Sequence, residues 1–230
     1  MNQQFGQLLY LISIWALPVI TGITFHEAAH GFVARLCGDD TAWRLGRVTF
    51  NPLKHIDPVG TILLPALLIF LRSPFLFGYA KPVPVNFGAL HNRRRDMTLV
   101  AAAGPGINIV LAVIAALLFR FVGYLPDTTA QWVAANLQNA LIINVVLAVF
   151  NLLPLPPLDG GRIVVGLLPD RIARPFARVE PYGIMILIGV FFILPMIGAK
   201  IGFDFSIASR TLAVVMNGLV GLILWLTGYR

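Results

Sequence analysis

The chain has 230 residues, of which 58% are hydrophobic and 12% charged, and its mean hydropathy is +0.83. A typical soluble domain carries about twice that share of charged residues, so the composition excludes an ordinary soluble globule and predicts one integral membrane domain, residues 1–230. The net charge of +7 does not indicate a nucleic-acid partner, because the basic residues lie between the apolar runs, where they set topology and meet the headgroups of the lipid bilayer.

Five apolar runs have the length and the lack of charge that membrane-spanning helices need. They are Leu8–Phe25 (continuing as helix to about Leu36), Met97–Phe119, Trp132–Leu153, Tyr182–Ala199 and Thr211–Tyr229. We therefore predict an all-α polytopic membrane protein with five transmembrane helices. Its expected parts are a first, catalytic helix (8–36), a re-entrant segment (58–86), core helices (97–162) and two C-terminal helices (182–229).

The sequence H-E-A-A-H at residues 26–30 directly follows the first run, on the same predicted helix. Positions i and i+4 lie on one face of a helix, so His26 and His30 present two imidazoles to one point. H-E-x-x-H is the spacing by which a helix supplies two zinc ligands and a carboxylate base, here Glu27. Ionisable groups at membrane depth are costly and are usually functional. We predict a zinc site; histidines that only join neighbouring helices are the alternative.

The segment from Pro58 to Ala80 is the doubtful part of the topology. Its uncharged core, Pro58–Leu71, is shorter than the roughly 20 residues that a spanning helix needs. If it crosses, giving six spans, the basic residues divide almost evenly between the two sides. If it enters and leaves on the same side, with the N-terminus outside, the Lys and Arg residues left outside are Arg120, Lys200 and Arg210 of a total of 17. The positive-inside rule favours this second arrangement, a re-entrant hairpin.

This orientation directs the end of the first helix towards the cytoplasm. We therefore expect a multi-pass protein of the cell (inner) membrane, with its active site near the cytoplasmic boundary of the bilayer. A hairpin at membrane depth is permitted only where it is buried in protein or lines a wet cavity.

A catalytic zinc takes three protein ligands and keeps one position for water. The run that begins at Trp132 ends in N-L-L-P-L-P-P-L-D-G-G-R over residues 151–162. Its prolines end the helix, and the two glycines allow the backbone to turn sharply. Asp159 can then point back into the bundle at the depth of the two histidines. Alternatively, Asp159 caps the next helix.

Three stretches together resemble the site-2 proteases, a family of intramembrane zinc metalloproteases. They are H-E-A-A-H at 26–30, A-G-P-G-I-N at 103–108, which is similar to the family's A-G-P-x-x-N, and the motif at 151–162. The sequence G-Y-A-K-P-V-P-V-N at 78–86 is similar to a form found in compact prokaryotic members. Unlike larger relatives, the chain has no PDZ insertion between the catalytic helices, and we expect no CBS pair at its C-terminus.

The resemblance implies a zinc-dependent intramembrane endopeptidase with one Zn²⁺ per chain. By the same resemblance His26, His30 and Asp159 are the zinc ligands, and Glu27 is the general base for a metal-activated water. Asn151 would lie beside the metal and help to hold the reacting carbonyl, although a helix–helix hydrogen bond is another use for it. The substrates would be membrane proteins, cut within or next to the bilayer.

A transmembrane substrate must unwind before it is cut, and an extended partner could compensate its lost hydrogen bonds by strand addition. The arm of the hairpin around Lys81, Val83 and Val85 is the candidate substrate-binding element. Pro82 and Pro84 remove donors at alternate positions, so this arm would offer an edge on one side only. A simple connecting loop is the alternative.

Two other functions remain open from the residues. The intramembrane His, Glu and Asp could form the permeation site of a metal or ion transporter. Transporters commonly contain repeated broken helices, and no internal repeat is visible here. The chain could also be an inactive protease-like binding protein, although the intact Glu27 argues against this.

Overall fold

The computed structural model describes residues 2–70 and 78–229, and within these ranges it contains helices and loops but no strand. The helices are α1 (Asn2–Leu36), α2 (Thr41–Arg44), α3 (Leu64–Phe70), α4 (Arg93–Phe119), α5 (Asp127–Asn151), α6 (Asp159–Leu167), α7 (Asp170–Ala177), α8 (Gly183–Ile188), α9 (Leu194–Ile201) and α10 (Ile207–Leu226). Short 3₁₀ turns occur at Pro52–Lys54, Val122–Tyr124 and Glu180–Tyr182, and π-helical turns at Pro58–Leu63 and Gly189–Ile193.

Five helical segments are long and apolar enough to cross a membrane. They are Gln4–Leu36, Arg93–Tyr124, Asp127–Asn151, Asp170–Ile201 and Ile207–Leu226. Each contains or overlaps one of the five predicted runs, so the prediction of an all-α polytopic membrane protein is confirmed. Large apolar side chains such as Leu11, Met185 and Val214 remain exposed on these helices, as expected for surfaces that contact lipid tails.

Helix α4 begins four residues before the predicted span because its first turn is capped. The side chain of Asn92 accepts a hydrogen bond from the Arg95 N–H (3.2 Å), and Asp96 accepts one from the Asn92 N–H (2.7 Å). This reciprocal pair satisfies donors that a helix start otherwise leaves free. The capped turn fixes where α4 enters the bundle.

Helix α4 is the centre of the bundle and packs against α1, α5 and α6. Its small residues allow close approach, because alanines on α4 face branched side chains on α5 and α10. The buried members of this core are Ala112, Ala115, Ala116, Leu141, Val145, Val149 and Ile223. Close packing by small residues is typical of helices in membranes, where van der Waals contact rather than the hydrophobic effect drives association.

The two described parts of the predicted re-entrant segment lie next to each other at Gly60 and Tyr79. The Tyr79 N–H donates to the Gly60 carbonyl (3.0 Å), and the Thr61 hydroxyl donates to the Tyr79 carbonyl (2.9 Å). A segment that crossed the bilayer would have its two ends about 30 Å apart. Residues 71–77 of the predicted re-entrant segment lie outside the described residues. The returning chain is extended, and we call residues 78–87 the strap.

Candidate active site

The structure brings His26, His30 and Asp159 to one point. Both histidines lie on the buried face of α1, with their Nε2 atoms 3.0 Å apart. Asp159 is the first residue of α6, and its Oδ2 lies 3.1 Å from His26 Nε2 and 3.3 Å from His30 Nε2. Among the described residues, these three form the one group of His, Cys, Asp or Glu side chains that could hold a metal ion.

The motif at 151–162 positions Asp159 by close packing. Helix α5 ends at Asn151, the proline-rich loop follows, and α6 begins at Asp159. The two glycines that follow Asp159 have no left-handed backbone conformation, so the predicted reason for them, a sharp turn, is wrong. A Cβ atom on Gly160 would collide with the Leu152 main chain, and one on Gly161 with the Pro156 main chain. Leu158, and not Asp159, occupies the N-cap of α6, so the capping alternative is wrong.

The second ring nitrogen of each histidine defines its tautomer. His26 Nδ1–H donates to Asn108 Oδ1 (2.6 Å), and His30 Nδ1–H donates to the Val100 carbonyl (2.7 Å). Both partners are oxygen atoms that can only accept, so the proton of each neutral ring is on Nδ1. Each Nε2 therefore directs a lone pair at the other and at the carboxylate of Asp159.

Three lone pairs that face one another need a cation between them, and the geometry fits zinc. Ligand atoms at about 2.0–2.1 Å from a tetrahedral zinc lie about 3.3 Å from each other. The three atoms here are 3.0, 3.1 and 3.3 Å apart. Apart from the two imidazole nitrogens, the buried Asp159 Oδ2 has no polar partner among the described residues. Two imidazoles and one carboxylate also form a donor set typical of catalytic zinc, with the fourth position open.

Helix α4 forms the back wall of this centre at Gly104. A Cβ atom built on Gly104 would lie 2.6 Å from His26 Nε2, which is closer than any real contact. The absence of a side chain at Gly104 therefore allows α4 to approach α1 directly behind the ligand atoms.

A cavity of about 490 Å³ extends from the three residues to the strap. Glu27 lines it, and its Oε2 accepts a hydrogen bond from the Val83 N–H (2.8 Å). Val83 is buried and packs close to Gly31 on α1, where a Cβ atom would lie 3.0 Å from Val83 Cγ1. The strap is thus in direct contact with the carboxylate predicted to be the base.

Side chains from other parts of the chain hold the main chain of the strap. Arg47 Nη2 donates to the Lys81 carbonyl (2.8 Å), and the Lys81 N–H donates to the His55 carbonyl (2.9 Å). Asp39 Oδ2 accepts from the Asn86 N–H (2.6 Å) and its Oδ1 accepts from the Thr41 N–H (3.0 Å). Burial raises the pKa of Asp39, but the hydrogen bonds from Thr41 and Asn86 outweigh it and hold that pKa below its ordinary value.

The three predicted substrate-binding residues have different surroundings. Val83 and Val85 line the cavity, whereas the Lys81 side chain is exposed and does not line it. The N–H groups of residues 79, 81 and 83 are all bonded within the protein. In an extended chain the alternate residues 80, 82 and 84 face the other way, and proline occupies 82 and 84. The free edge is therefore poor in donors. The Pro82 carbonyl accepts a long hydrogen bond from Arg47 Nη2 (3.4 Å), which leaves the carbonyls of residues 80 and 84 as the acceptors of this edge.

Asn151 lines the same cavity, and its Nδ2 donates to the Leu147 carbonyl of its own helix (2.9 Å). Other asparagines make the helix–helix hydrogen bonds that were the alternative use for it. Asn139 Nδ2 donates to the Ile14 carbonyl of α1 (2.9 Å), and Asn144 accepts from Asn108 of α4 (2.7 Å). The amide of Asn151 thus makes no interhelical hydrogen bond with the described residues.

Sequence reasoning assigned no role to Asn108 or to Arg47. Asn108 could have been found, because it is a polar residue within an apolar span and lies four positions after Gly104, on the same helix face. Arg47 gives no such signal, since it resembles any other basic residue of a connecting loop. His55 is buried, with its Nε2 on the Thr49 carbonyl (2.9 Å), and takes part in no metal-binding group of described residues.

Comparison with known proteins agrees with the geometry of this site. The model of Peptidase family M50 matches residues 120–196. A Bacillus subtilis protein named "Putative zinc metalloprotease YwhC" is 39% identical over 192 residues, which cover 82% of this chain and 84% of that protein. A Mycolicibacterium smegmatis protein named "Putative zinc metalloprotease Rip2" is 29% identical over 183 residues, 80% of this chain and 66% of that protein.

A more distant relative comes from Methanocaldococcus jannaschii. It is named "Putative zinc metalloprotease MJ0611" and is 29% identical over 163 residues, which cover 70% of this chain and 72% of that protein. No solved structure matches the chain at a comparable level of significance. The extent of the first match, together with five apolar helices and a group suited to zinc, establishes the family. The chain belongs to peptidase family M50, the site-2 protease family, and is a multi-pass membrane zinc metalloprotease.

Proposed function

We propose that the protein is an intramembrane endopeptidase that cuts membrane proteins at peptide bonds within or beside the bilayer. The supporting observation is the set of three lone pairs, from His26, His30 and Asp159, which converge at 3.0–3.3 Å inside the helix bundle. Two of them come from α1, which is itself long and apolar enough to span the membrane. A hydrolytic centre at this depth meets peptide bonds that soluble proteases do not reach.

In this proposal His26, His30 and Asp159 are the zinc ligands, one Zn²⁺ per chain. When bound, zinc supplies a Lewis acid that polarises the scissile carbonyl and makes water nucleophilic at neutral pH. Glu27 accepts the proton of the attacking water and later donates it to the leaving nitrogen. Its Oε2 is held by the Val83 N–H, while its Oε1 makes no hydrogen bond with the described residues and is available for the proton.

Asn151 and the strap would handle the substrate. The Asn151 amide has a second N–H beyond the one bonded to Leu147, and that donor can stabilise the developing oxyanion in the cavity. An unwound substrate can pair with the free edge of the strap through its own N–H groups, because residues 80 and 84 offer carbonyls. Val83 and Val85 would contact its side chains, and Lys81 would act through its main chain.

The proposed location is the cell (inner) membrane, with the cavity opening towards the cytoplasm. The basis is the distribution of Lys and Arg residues. Most of them lie on the same side of the membrane as the C-terminal end of α1, which the positive-inside rule assigns to the cytoplasm. The proposed partners are membrane-protein substrates and the bilayer, without nucleic acid. Epitope tags at Gly78 and at Arg94 should both be accessible from the cytoplasm; an accessible periplasmic tag at either position contradicts the orientation.

The decisive experiment compares Glu27→Gln with Glu180→Gln. Glu180 is the other glutamate of the chain. It does not line the cavity, whereas its ion-pair partner Arg162 (3.6 Å) is one of the lining residues. We expect Glu27→Gln to abolish the membrane-protein fragments found by proteomics of cells that carry the wild type, and to leave the zinc content of the purified protein intact. Glu180→Gln should change neither. Fragments that persist in Glu27→Gln would refute the protease mechanism, and ion flux without fragments would favour a transporter.

The ligand assignment has its own matched pair, Asp159→Ala and Asp170→Ala. Both aspartates occupy the first position of a short helix, but Asp170 is exposed and touches no histidine. We expect Asp159→Ala to lose most of the bound zinc, since a site left with two imidazoles holds the ion weakly. Normal zinc content in Asp159→Ala would overturn the third ligand.

A further inference from the structure

A chain of buried amides links three helices behind the metal centre. Asn144 on α5 donates from Nδ2 to the Ala140 carbonyl (2.9 Å). Asn108 on α4 donates from Nδ2 to Asn144 Oδ1 (2.7 Å) and to the Gly22 carbonyl of α1 (3.1 Å). Asn108 Oδ1 then accepts the Nδ1–H of His26 (2.6 Å). Asn108 is fully buried and Asn144 is 2% exposed, so water cannot replace these partners.

The orientation of both amides follows from their main-chain partners. The Gly22 and Ala140 carbonyls can only accept, so each asparagine must turn its NH₂ group towards one of them. The oxygen of Asn144 is thereby directed at Asn108, and the oxygen of Asn108 at His26. A reversed Asn108 would put an NH₂ group against Nδ1, which would force the ring proton onto Nε2 and remove the lone pair from the metal side.

The two histidines differ in this respect. His30 is oriented by the main-chain carbonyl of Val100, which no substitution can remove. His26 is oriented by a side chain, and that side chain is itself oriented by a second one. Partners of this kind fix the tautomer and ring orientation of metal-binding histidines, and their loss typically lowers metal affinity by about 10–100-fold.

We propose that Asn108, oriented by Asn144, is a positioning residue that holds His26 in its Nδ1–H tautomer with Nε2 directed at the zinc. The proposal rests on the assignment of His26 as a zinc ligand made above. It explains why a polar residue is maintained at this depth in an otherwise apolar stretch of α4, where an unpaired amide would be costly. The alternative is that Asn108 only joins α4 to α1 and α5.

The test measures zinc affinity by competition with a chelator in purified Asn108→Leu, Asn108→Asp and Asn139→Leu. Leucine has a similar size but no acceptor, whereas the aspartate carboxylate still accepts from His26 Nδ1. Like Asn108, Asn139 donates to a main-chain carbonyl of α1, in its case from α5 to Ile14 (2.9 Å), but it does not touch a zinc ligand. We expect about a 10–100-fold loss for Asn108→Leu and a change of less than a few-fold for Asn139→Leu. Asn108→Asp should lose less affinity than Asn108→Leu, because it keeps the acceptor for His26 although it loses the donors to Gly22 and Asn144.

Equal zinc affinities of Asn108→Leu and Asn139→Leu would overturn the proposal, because helix joining alone would then account for Asn108. If Asn108→Leu does not fold, ¹⁵N-histidine NMR of the metal-free wild type decides: the Nδ1–H tautomer of His26 supports the proposal and the Nε2–H tautomer refutes it. His26→Ala separates this result from a failure of the proposed function. If His26→Ala retains zinc, the ligand assignment itself is wrong. If His26→Ala loses zinc but Asn108→Leu retains it, only the role of Asn108 is wrong.

Discussion

The two sides of the active-site cavity are built in different ways. On one side, α1 and α6 carry His26, His30 and Asp159 and α4 packs behind them, and we call this side the helical wall. Its ligand atoms are buried, each histidine has a second hydrogen bond behind it, and Gly104 leaves no space between α4 and the rings. The helical wall is therefore preorganised, because no ligand can move without a helix moving with it.

On the other side the strap is held by hydrogen bonds to its main chain and by the packing of Val83, Val85 and Phe87. Glu27, Arg47 and Asp39 bond to the N–H of Val83, the carbonyl of Lys81 and the N–H of Asn86, respectively. Each of these hydrogen bonds involves a charged side chain, and each can break without disturbing the helices. This difference predicts that metal binding and the position of the strap can be perturbed separately. The variants below should affect one side and leave the other intact.

The largest effect should be the loss of zinc affinity in Gly104→Ala, a substitution in the helical wall. The added methyl group would lie 2.6 Å from His26 Nε2, so the ring or the helix must shift. We expect zinc affinity to fall by at least about 100-fold, the upper end of the losses seen when ligand positioning is disturbed. Chelator competition on the purified protein measures this.

Gly106→Ala is the matched control on the same helix, because a Cβ atom at Gly106 would have no neighbour within 4 Å. It should bind zinc as the wild type does. The description of the helical wall as rigid is wrong if Gly104→Ala retains wild-type affinity, since the bundle would then have made room for the methyl group.

The next effect concerns the strap and compares Val83→Pro with Val83→Ala. Proline removes the N–H that bonds to Glu27, whereas alanine keeps it. A hydrogen bond to a charged group contributes about 1.5–3 kcal/mol, so Val83→Pro should increase strap opening by about 10–100-fold over Val83→Ala. Hydrogen exchange of the strap amides measures the opening. Zinc content should be normal in both variants, and a loss of zinc in Val83→Pro would show that the two sides are not separable.

Acid should release the far end of the strap through Asp39. Its pKa is lowered in the folded protein, so its hydrogen bonds stabilise the strap fully above the ordinary value of 3.8 and are lost as the pH falls through the folded pKa. We expect the NMR signal of the Asn86 amide to shift in one step below pH 3.8. Asp39→Asn should remove the step and weaken the strap by about 1.5 kcal/mol at neutral pH. A step that persists in this variant would assign it to another group.

The helical wall could largely be predicted from the sequence. Helix geometry alone brings His26 and His30 together, and a helix end made of prolines explains why Asp159 follows at the same depth. The five spans were predictable because apolar length is a strong signal in a membrane protein. The reason given for Gly160 and Gly161 was wrong, since close packing against another segment leaves no trace in local sequence.

The strap could be predicted only in outline. Its prolines indicated an extended arm, but the partner of Val83 is Glu27, which lies 56 positions away in the sequence. That contact uses a main-chain N–H. Because every non-proline residue has one, the residue type at position 83 does not predict the contact. The roles of Arg47 and Asp39 were missed for the same reason: each side chain bonds to main-chain atoms of the strap.

The smallest effect should come from Lys81→Ala, compared with Arg47→Leu. The Lys81 side chain is exposed, and its residue holds the strap through its own N–H and carbonyl, which alanine retains. Surface substitutions of this kind change stability by about 0.5 kcal/mol or less, so we expect substrate cleavage to change by no more than about twofold. Arg47→Leu removes the donor to the Lys81 carbonyl and should loosen the strap, as measured by hydrogen exchange, without loss of zinc. A large loss of cleavage in Lys81→Ala alone would instead place the ammonium group in contact with the substrate, and would mean that side chains as well as the main chain of the strap take part in recognition.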